Sequence, residues 1–296
     1  MFSRIRTTRS VNRRLLVAGV LSASVALTAT MAAAGTASAT PVPVASSIPV
    51  GQGYMGAGYA QDNKDFKPVT GQLQLNTPGT VTPDAANPPG IDVSHYQGSI
   101  NWSSVKAAGI QFAYIKATES TTYKDPDFSA NYLNAYNAKV IRGAYHFAHP
   151  DLSSGAAQAT YFAANGGAWS ADNLTLPGML DLEGGCYGLS AASMQSWILD
   201  FYNTYKAKTG RDIVIYTSPS WWNSCTGGWS GMSTRSPLFV ADWTTAASPV
   251  IPGGFPYATL WQYADNGSVS GISGAVDRDY FIGTSARLLA LANNTP

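Results

Sequence analysis

From Ile91 to the end of the chain, short apolar runs alternate with stretches of helix-favouring composition. The apolar runs predict strands at Ile91–Val93, Gln111–Thr118, Val140–Ala148, Met179–Glu183, Ile213–Thr217, Leu238–Trp243, Thr259–Tyr263 and Val276–Phe281. Helices are predicted between them near Trp102–Ala108, Asp127–Ala138, Ser154–Asn165, Ala191–Thr209 and Pro219–Asn223, with a last one over Thr284–Leu291. Ser190 is placed to cap the long helix and Gly210 to stop it. The strands are apolar nearly throughout, as expected when both faces are buried. Repeated strand–helix units imply parallel pairing with right-handed crossovers. About eight strands in some 205 residues fit an α/β fold, a closed TIM-like (β/α) barrel. The later units are too short for full helices, so the barrel is expected to be irregular.

The first ninety residues read differently. Residues 1–14 carry Arg4, Arg6, Arg9, Arg13 and Arg14 and no acid, and a weakly apolar run from Leu15 ends at Ala37-Ser38-Ala39. A basic start, an apolar middle and an A-x-A end predict a signal peptide over residues 1–39. Residues 40–89 are rich in Pro, Gly, Thr and Ser without periodicity, which predicts a linker, a pro-segment or a loosely packed arm. The barrel domain is then expected over 90–296.

Charge narrows the partners. Five of the 18 basic residues and none of the 17 acidic ones lie in residues 1–39, so the remainder carries 13 against 17, a net charge of −4. That balance offers no electrostatic footprint for nucleic acid and no polybasic surface for a membrane. Charged residues make up only 12% of the chain while aromatics reach 11%, a surface suited to neutral sugars, whose ring faces stack on aromatic rings. In an exported chain the even cysteine count favours one disulfide, Cys186–Cys225, which would brace a loop beside the fourth strand.

The chemistry collects at the strand ends, where (β/α) barrels carry their sites. The first strand ends in Asp92, the second leads to Glu119, the third carries Tyr145-His146, and the fourth ends in Asp181-Leu182-Glu183 before Gly184-Gly185. Tyr216, Asp242-Trp243, Trp261-Gln262-Tyr263, Asp277 and Asp279 follow on the later strands. Residues two apart on a strand share a face, about 6.6–6.8 Å apart. Asp181 and Glu183 are therefore expected side by side, with one pKa pushed up, leaving a proton donor beside an anion. Breaking a glycosidic bond needs that pairing. Tyr145, Tyr216 and Trp243 are expected to line sugar subsites, with His146, Gln262 and Glu119 as further wall residues.

Gly90-Ile91-Asp92-Val93-Ser94-His95-Tyr96-Gln97-Gly98 resembles the opening motif of the glycoside hydrolase family 25 lysozymes. Lys116-Ala117-Thr118-Glu119, Gly143-Ala144-Tyr145-His146-Phe147, Leu180-Asp181-Leu182-Glu183, Ile215-Tyr216-Thr217, Val240-Ala241-Asp242-Trp243, Leu260-Trp261-Gln262-Tyr263 and Val276-Asp277 continue the match in order. The resemblance spans residues 90 to about 284 and leaves out 40–89. It implies a modified (β/α) barrel that cleaves the β-1,4 bond between N-acetylmuramic acid and N-acetylglucosamine in peptidoglycan. It places the acidic quartet on Asp92, Asp181, Glu183 and Asp277, with Glu183 as general acid/base. The chain departs from the pattern at Gly184-Gly185-Cys186, where another acid often follows the pair. Peptidoglycan glycan strands are then the expected partner of a secreted, extracellular or wall-associated monomer without metal or cofactor.

On this reading Glu183 is protonated and donates to the leaving oxygen while Asp181 stays charged. Asp181 either orients the substrate's N-acetyl group for attack on the anomeric carbon or polarises a water. Three other readings compete, one of them a non-catalytic wall-binding module that keeps the cleft, against which the intact Asp181 and Glu183 argue. A family-18 chitinase also uses Asp-x-Glu on a barrel strand, but its signature has a further Asp where this chain has Met179. A zinc-dependent polysaccharide deacetylase would draw on His146, His149, Asp92 and His95 as ligands.

Overall fold

The computed structural model describes residues 48–62 and 87–295. The predicted signal peptide lies outside the described residues. Nine strands are present among the described residues: β1 (Pro89–Val93), β2 (Phe112–Glu119), β3 (Tyr123–Lys124), β4 (Ile141–Phe147), β5 (Met179–Leu182), β6 (Val214–Thr217), β7 (Leu238–Ala241), β8 (Leu260–Gly267) and β9 (Val276–Phe281). All but β3 form a closed ring in the order β1-β2-β4-β5-β6-β7-β8-β9, with β9 returning to β1. The short β3 pairs with the far end of β2, outside the ring.

The helices are α1 (Ala57–Asp62), α2 (Trp102–Ala107), α3 (Phe128–Asn137), α4 (Gly155–Phe162), α5 (Ala191–Thr209), α6 (Pro219–Thr226) and α7 (Ser285–Asn293). Side-chain oxygens of Asn101, Ser154, Ser190, Ser218 and Thr284 accept from the first turns of α2, α4, α5, α6 and α7, satisfying N–H groups that have no partner within the helix. Gly210 ends α5 in the left-handed region at φ 71°.

One strand runs against the expectation of parallel pairing. β9 is antiparallel to both β8 and β1. Only residues 268–275 separate β8 from β9, too short for the dozen or more residues that a parallel crossover requires. The chain folds back as a hairpin instead. Asp277, near the start of β9, consequently reaches the same end of the barrel as Asp92, near the end of β1, and the two residues face each other across the ladder.

Side-chain alternation places the rest. Phe112, Tyr114, Tyr145, Met179, Val214, Tyr216, Phe239 and Leu260 pack together as the barrel's own core. Their strand neighbours Ala113, Ile115, Ala144, Leu180, Leu182 and Ile215 belong to clusters formed with the surrounding helices. The barrel is thus a packed interior, and its polar residues are displaced to one end.

Candidate active site

Alternation along β5 turns Leu180 and Leu182 toward the helices, so Asp181 and Glu183 share the inward face. Both are buried, Asp181 completely. Neither oxygen of Asp181 meets an N–H or O–H donor from the rest of the protein. After burial itself, the neighbouring carboxyl of Glu183 is the strongest electrostatic influence on it. Burial, reinforced by the negative charge of Glu183 and Asp92, pushes Asp181 well above the usual carboxylate range. Burial also raises Glu183 to about 8, against the opposing pull of backbone N–H donors at Gly58, Tyr59 and Gly56.

A second acid pair lies beside the first. Asp92 and Asp277 are direct neighbours across the β1–β9 ladder, and both are buried. Burial lifts Asp92 to about 8 although Gln262 Nε2 donates to its Oδ2 at 2.8 Å. Burial and the neighbouring charge of Asp92 raise Asp277 well above its ordinary value. Gln262 organises this corner. Its Oε1 accepts from Tyr216 Oη at 2.7 Å and from Trp243 Nε1 at 2.9 Å, while its amide nitrogen faces Asp92. One amide on β8 therefore fixes two aromatic rings and an acid from three other parts of the chain.

The remaining expected residues divide. Tyr145 points inward, fully buried beside Asp92 and Asp181. Glu119 has both oxygens engaged, Oε2 by Lys116 Nζ at 2.5 Å and Oε1 by His149 Nε2 at 2.8 Å. Burial raises its pKa, but the His149 hydrogen bond and the Lys116 charge outweigh that and leave it lowered. His146 is not a cleft residue. It follows inward Tyr145, so alternation turns it to the outer face, where its ring packs against Phe162 of α4 and Phe201 of α5. Its ring nitrogens pair with Thr118 Oγ1 at 2.7 Å and Gln158 Oε1 at 2.9 Å. The ligand set drawn for a deacetylase is dispersed: His149 is held by Glu119, His95 by Asp125 and Asp92 by Gln262. No three His, Cys, Asp or Glu side chains are grouped as ligands among the described residues.

The Cys186–Cys225 disulfide joins the loop after β5 to α6, with Cα atoms 5.2 Å apart. Two further contacts hold that loop, Tyr187 Oη donating to the Glu183 carbonyl at 2.9 Å and Trp221 Nε1 to that of Gly185 at 3.2 Å. Tyr187 was not among the expected site residues; it lies in the turn after the strand, where no periodicity marks it. Nor were residues 48–62, which fill the cleft over Glu183. Their glycine-rich run Gly51-Gln52-Gly53-Tyr54-Met55-Gly56-Ala57-Gly58-Tyr59 is the one sequence signal that could have drawn notice.

Adjacent buried carboxyls with raised pKa values, at one end of a barrel among aromatic rings, can protonate a glycosidic oxygen while an anion stands beside it; the class of protein they define is a glycoside hydrolase. Comparison with known proteins narrows the class. Residues 91–272 match the model of the glycosyl hydrolases family 25. Lysozyme M1 of Streptomyces globisporus is 55% identical over 95% of this chain and 94% of its own length. The N,O-diacetylmuramidase of a Chalaropsis species is 50% identical over 64% of this chain and 95% of its own. The crystal structure of a lysozyme from Streptomyces coelicolor superposes with a TM-score of 0.70 at 62% identity, covering 72% of this chain and all of that one. The chain belongs to family 25 of the glycosyl hydrolases, and its irregular α/β barrel is the fold of that family's solved lysozymes.

Proposed function

We propose that this protein is an exported muramidase that hydrolyses the β-1,4 bond between N-acetylmuramic acid and N-acetylglucosamine in bacterial peptidoglycan. The observation that carries the reading is the adjacent, buried carboxyls of Asp181 and Glu183 at the end of β5, both with raised pKa. In the unobstructed cleft Glu183 donates its proton to the leaving oxygen. Asp181, in its charged form, faces the anomeric centre and orients the N-acetyl group or a water. Asp92 and Asp277 hold charge and hydrogen bonds beside the ring as it becomes positive. Tyr145, Tyr216 and Trp243 form the sugar-contacting wall, the last two set by Gln262.

Export is supported by the Arg-rich start and A-x-A end of residues 1–39. No helix among the described residues is long and apolar enough to cross a membrane. We assign the cleft to a single glycan strand, cut by a monomer.

Reducing-end analysis of digested peptidoglycan tests the reading. New muramic acid ends are expected. New glucosamine ends would mark a glucosaminidase, and released acetate with intact strands a deacetylase. Glu183→Gln should lower turnover by about 10³-fold or more while muropeptide binding persists.

A further inference from the structure

The groove over the four acids is occupied by residues 48–62 of the same chain. Gly56 N–H donates to Glu183 Oε1 at 3.0 Å, Gly58 N–H to Oε2 at 2.7 Å and Tyr59 N–H to Oε2 at 3.4 Å. The carbonyl of Gly53 accepts from Lys116 Nζ, and that of Met55 from Gln262 Nε2 at 3.4 Å. Met55 is completely buried and joins the barrel's apolar core. Tyr59 lies over Trp243 with ring centroids 4.7 Å apart, and its hydroxyl reaches Asp242 Oδ1 at 3.3 Å. Tyr54 meets Tyr96 edge-on at 5.4 Å.

The segment's sequence is shaped to this place. A Cβ on Gly58 would stand 2.2 Å from the backbone nitrogen of Gly184, and one on Gly53 about 2.6 Å from the ring of Phe147. Any other residue at either position would push the segment off the floor of the cleft. A linker that merely spans two parts of a chain has no need of such fit, nor of a wholly buried methionine.

The contacts also act on the chemistry. Both oxygens of Glu183 serve as acceptors of backbone N–H groups, the arrangement of a carboxylate and not of an acid about to give up a proton. These donors favour the charged form of Glu183 and oppose the rise that burial imposes on its pKa. That works against cleavage, which needs Glu183 as the proton donor. Meanwhile the Tyr59 ring covers the Trp243 surface on which a sugar would stack.

We propose that residues 48–62 are an inhibitory pro-segment, which keeps the exported enzyme shut by filling the glycan cleft and capping Glu183 until a protease severs it from the barrel. The proposal rests on the reading of this cleft as the glycan site.

The test compares initial rates of peptidoglycan lysis by three forms of the chain from residue 40 onward. One is intact. One carries a site-specific protease sequence inserted between residues 62 and 87 and is cut and gel-filtered before assay. One is intact with Gly58→Val, with Tyr59→Ala as a second lesion should the first impair folding. The intact chain should be at least tenfold slower than the cut form. Gly58→Val should recover much of that difference, and a synthetic peptide of residues 48–62 should inhibit the cut form in a saturable way. Equal rates in all three forms overturn the inhibition. If all then release muropeptides, the hydrolase reading stands alone; if none does, both readings fall.

Discussion

Asp92 faces Asp277 directly across the antiparallel ladder between β1 and β9, and both carboxyls are buried with raised pKa. The reversed last strand is what brings them together, since a parallel β9 would carry Asp277 into the barrel from the opposite end. Asp277→Asn replaces an acid that can ionise with a neutral amide, so the pair can no longer carry two negative charges. Asp92 should then ionise at lower pH, and the stabilisation of positive charge on the sugar should weaken. We expect kcat of the activated enzyme to fall about 10- to 100-fold, as for loss of one preorganised electrostatic group, with a displaced pH–rate profile. An unchanged profile and rate would remove Asp277 from the machinery.

Asp279 lies two residues further along β9, completely buried, with neither oxygen hydrogen-bonded. Burial and the nearby charge of Asp92 raise it well above the usual carboxylate range. In the folded chain it keeps its proton at pH values where the unfolded chain has released it. Stability is therefore intact below the unfolded pKa and declines as pH rises toward the folded one. Asp279→Asn keeps the shape and removes the ionisation. The gain in stability should therefore be small at pH 4, near the ordinary aspartate pKa, and grow by about 1.4 kcal/mol for each further unit up to the folded pKa, so that it is clearly larger at pH 8. Urea unfolding at the two pH values measures this; equal effects at both would show that Asp279 does not hold a proton in the folded chain.

Much of this was legible in the sequence because it depends on short periods. The eight barrel strands follow from short apolar runs, the shared face of Asp181 and Glu183 from alternation at period two, and the ends of α5 from Ser190 and Gly210. The direction of β9 was hidden because an apolar strand reads the same in either direction; only the short 268–275 connection discriminates. His146 was placed in the wall because it sits beside Tyr145, yet that adjacency is what sends it to the opposite face. Glu119 was expected in the wall although Lys116 stood near enough to pair with it, and its second partner, His149, is thirty residues away, beyond any local spacing. Residues 48–62 were the least legible, since they bind largely through backbone groups, which leave no side-chain pattern.

Glu119 is held between two cationic or potentially cationic groups at the floor of the cleft, Lys116 and His149, all three buried. Removing the carboxylate alone strands the Lys116 ammonium without a counter-charge. Glu119→Leu should cost about 3–5 kcal/mol, the usual penalty for breaking a buried pair from one side. The double change Lys116→Met/Glu119→Leu should regain most of it, because two apolar side chains need no compensation. Chemical unfolding at pH 7 checks both. A double variant as unstable as the single one would mean that the charge of Lys116 is not the source of the loss.

The loop carrying Glu183 out of β5 is held by the Cys186–Cys225 disulfide, by Tyr187 on the Glu183 carbonyl and by Trp221 on that of Gly185. The bridge acts on stability by closing a loop with a sequence separation of 39. In the chain-entropy model a loop of that size contributes about 4 kcal/mol. At about 2–4 °C per kcal/mol for a domain of this size, replacing both cysteines by alanine should lower the melting temperature by roughly 8–16 °C. Tyr187 and Trp221 still anchor the strand end in the variant, so kcat of the activated enzyme at 25 °C should stay within about threefold. Differential scanning calorimetry and a wall-lysis assay on the same preparation separate the two effects. A kcat loss beyond tenfold with the variant still folded would mean that the disulfide itself positions Glu183, and that the two hydrogen bonds do not suffice.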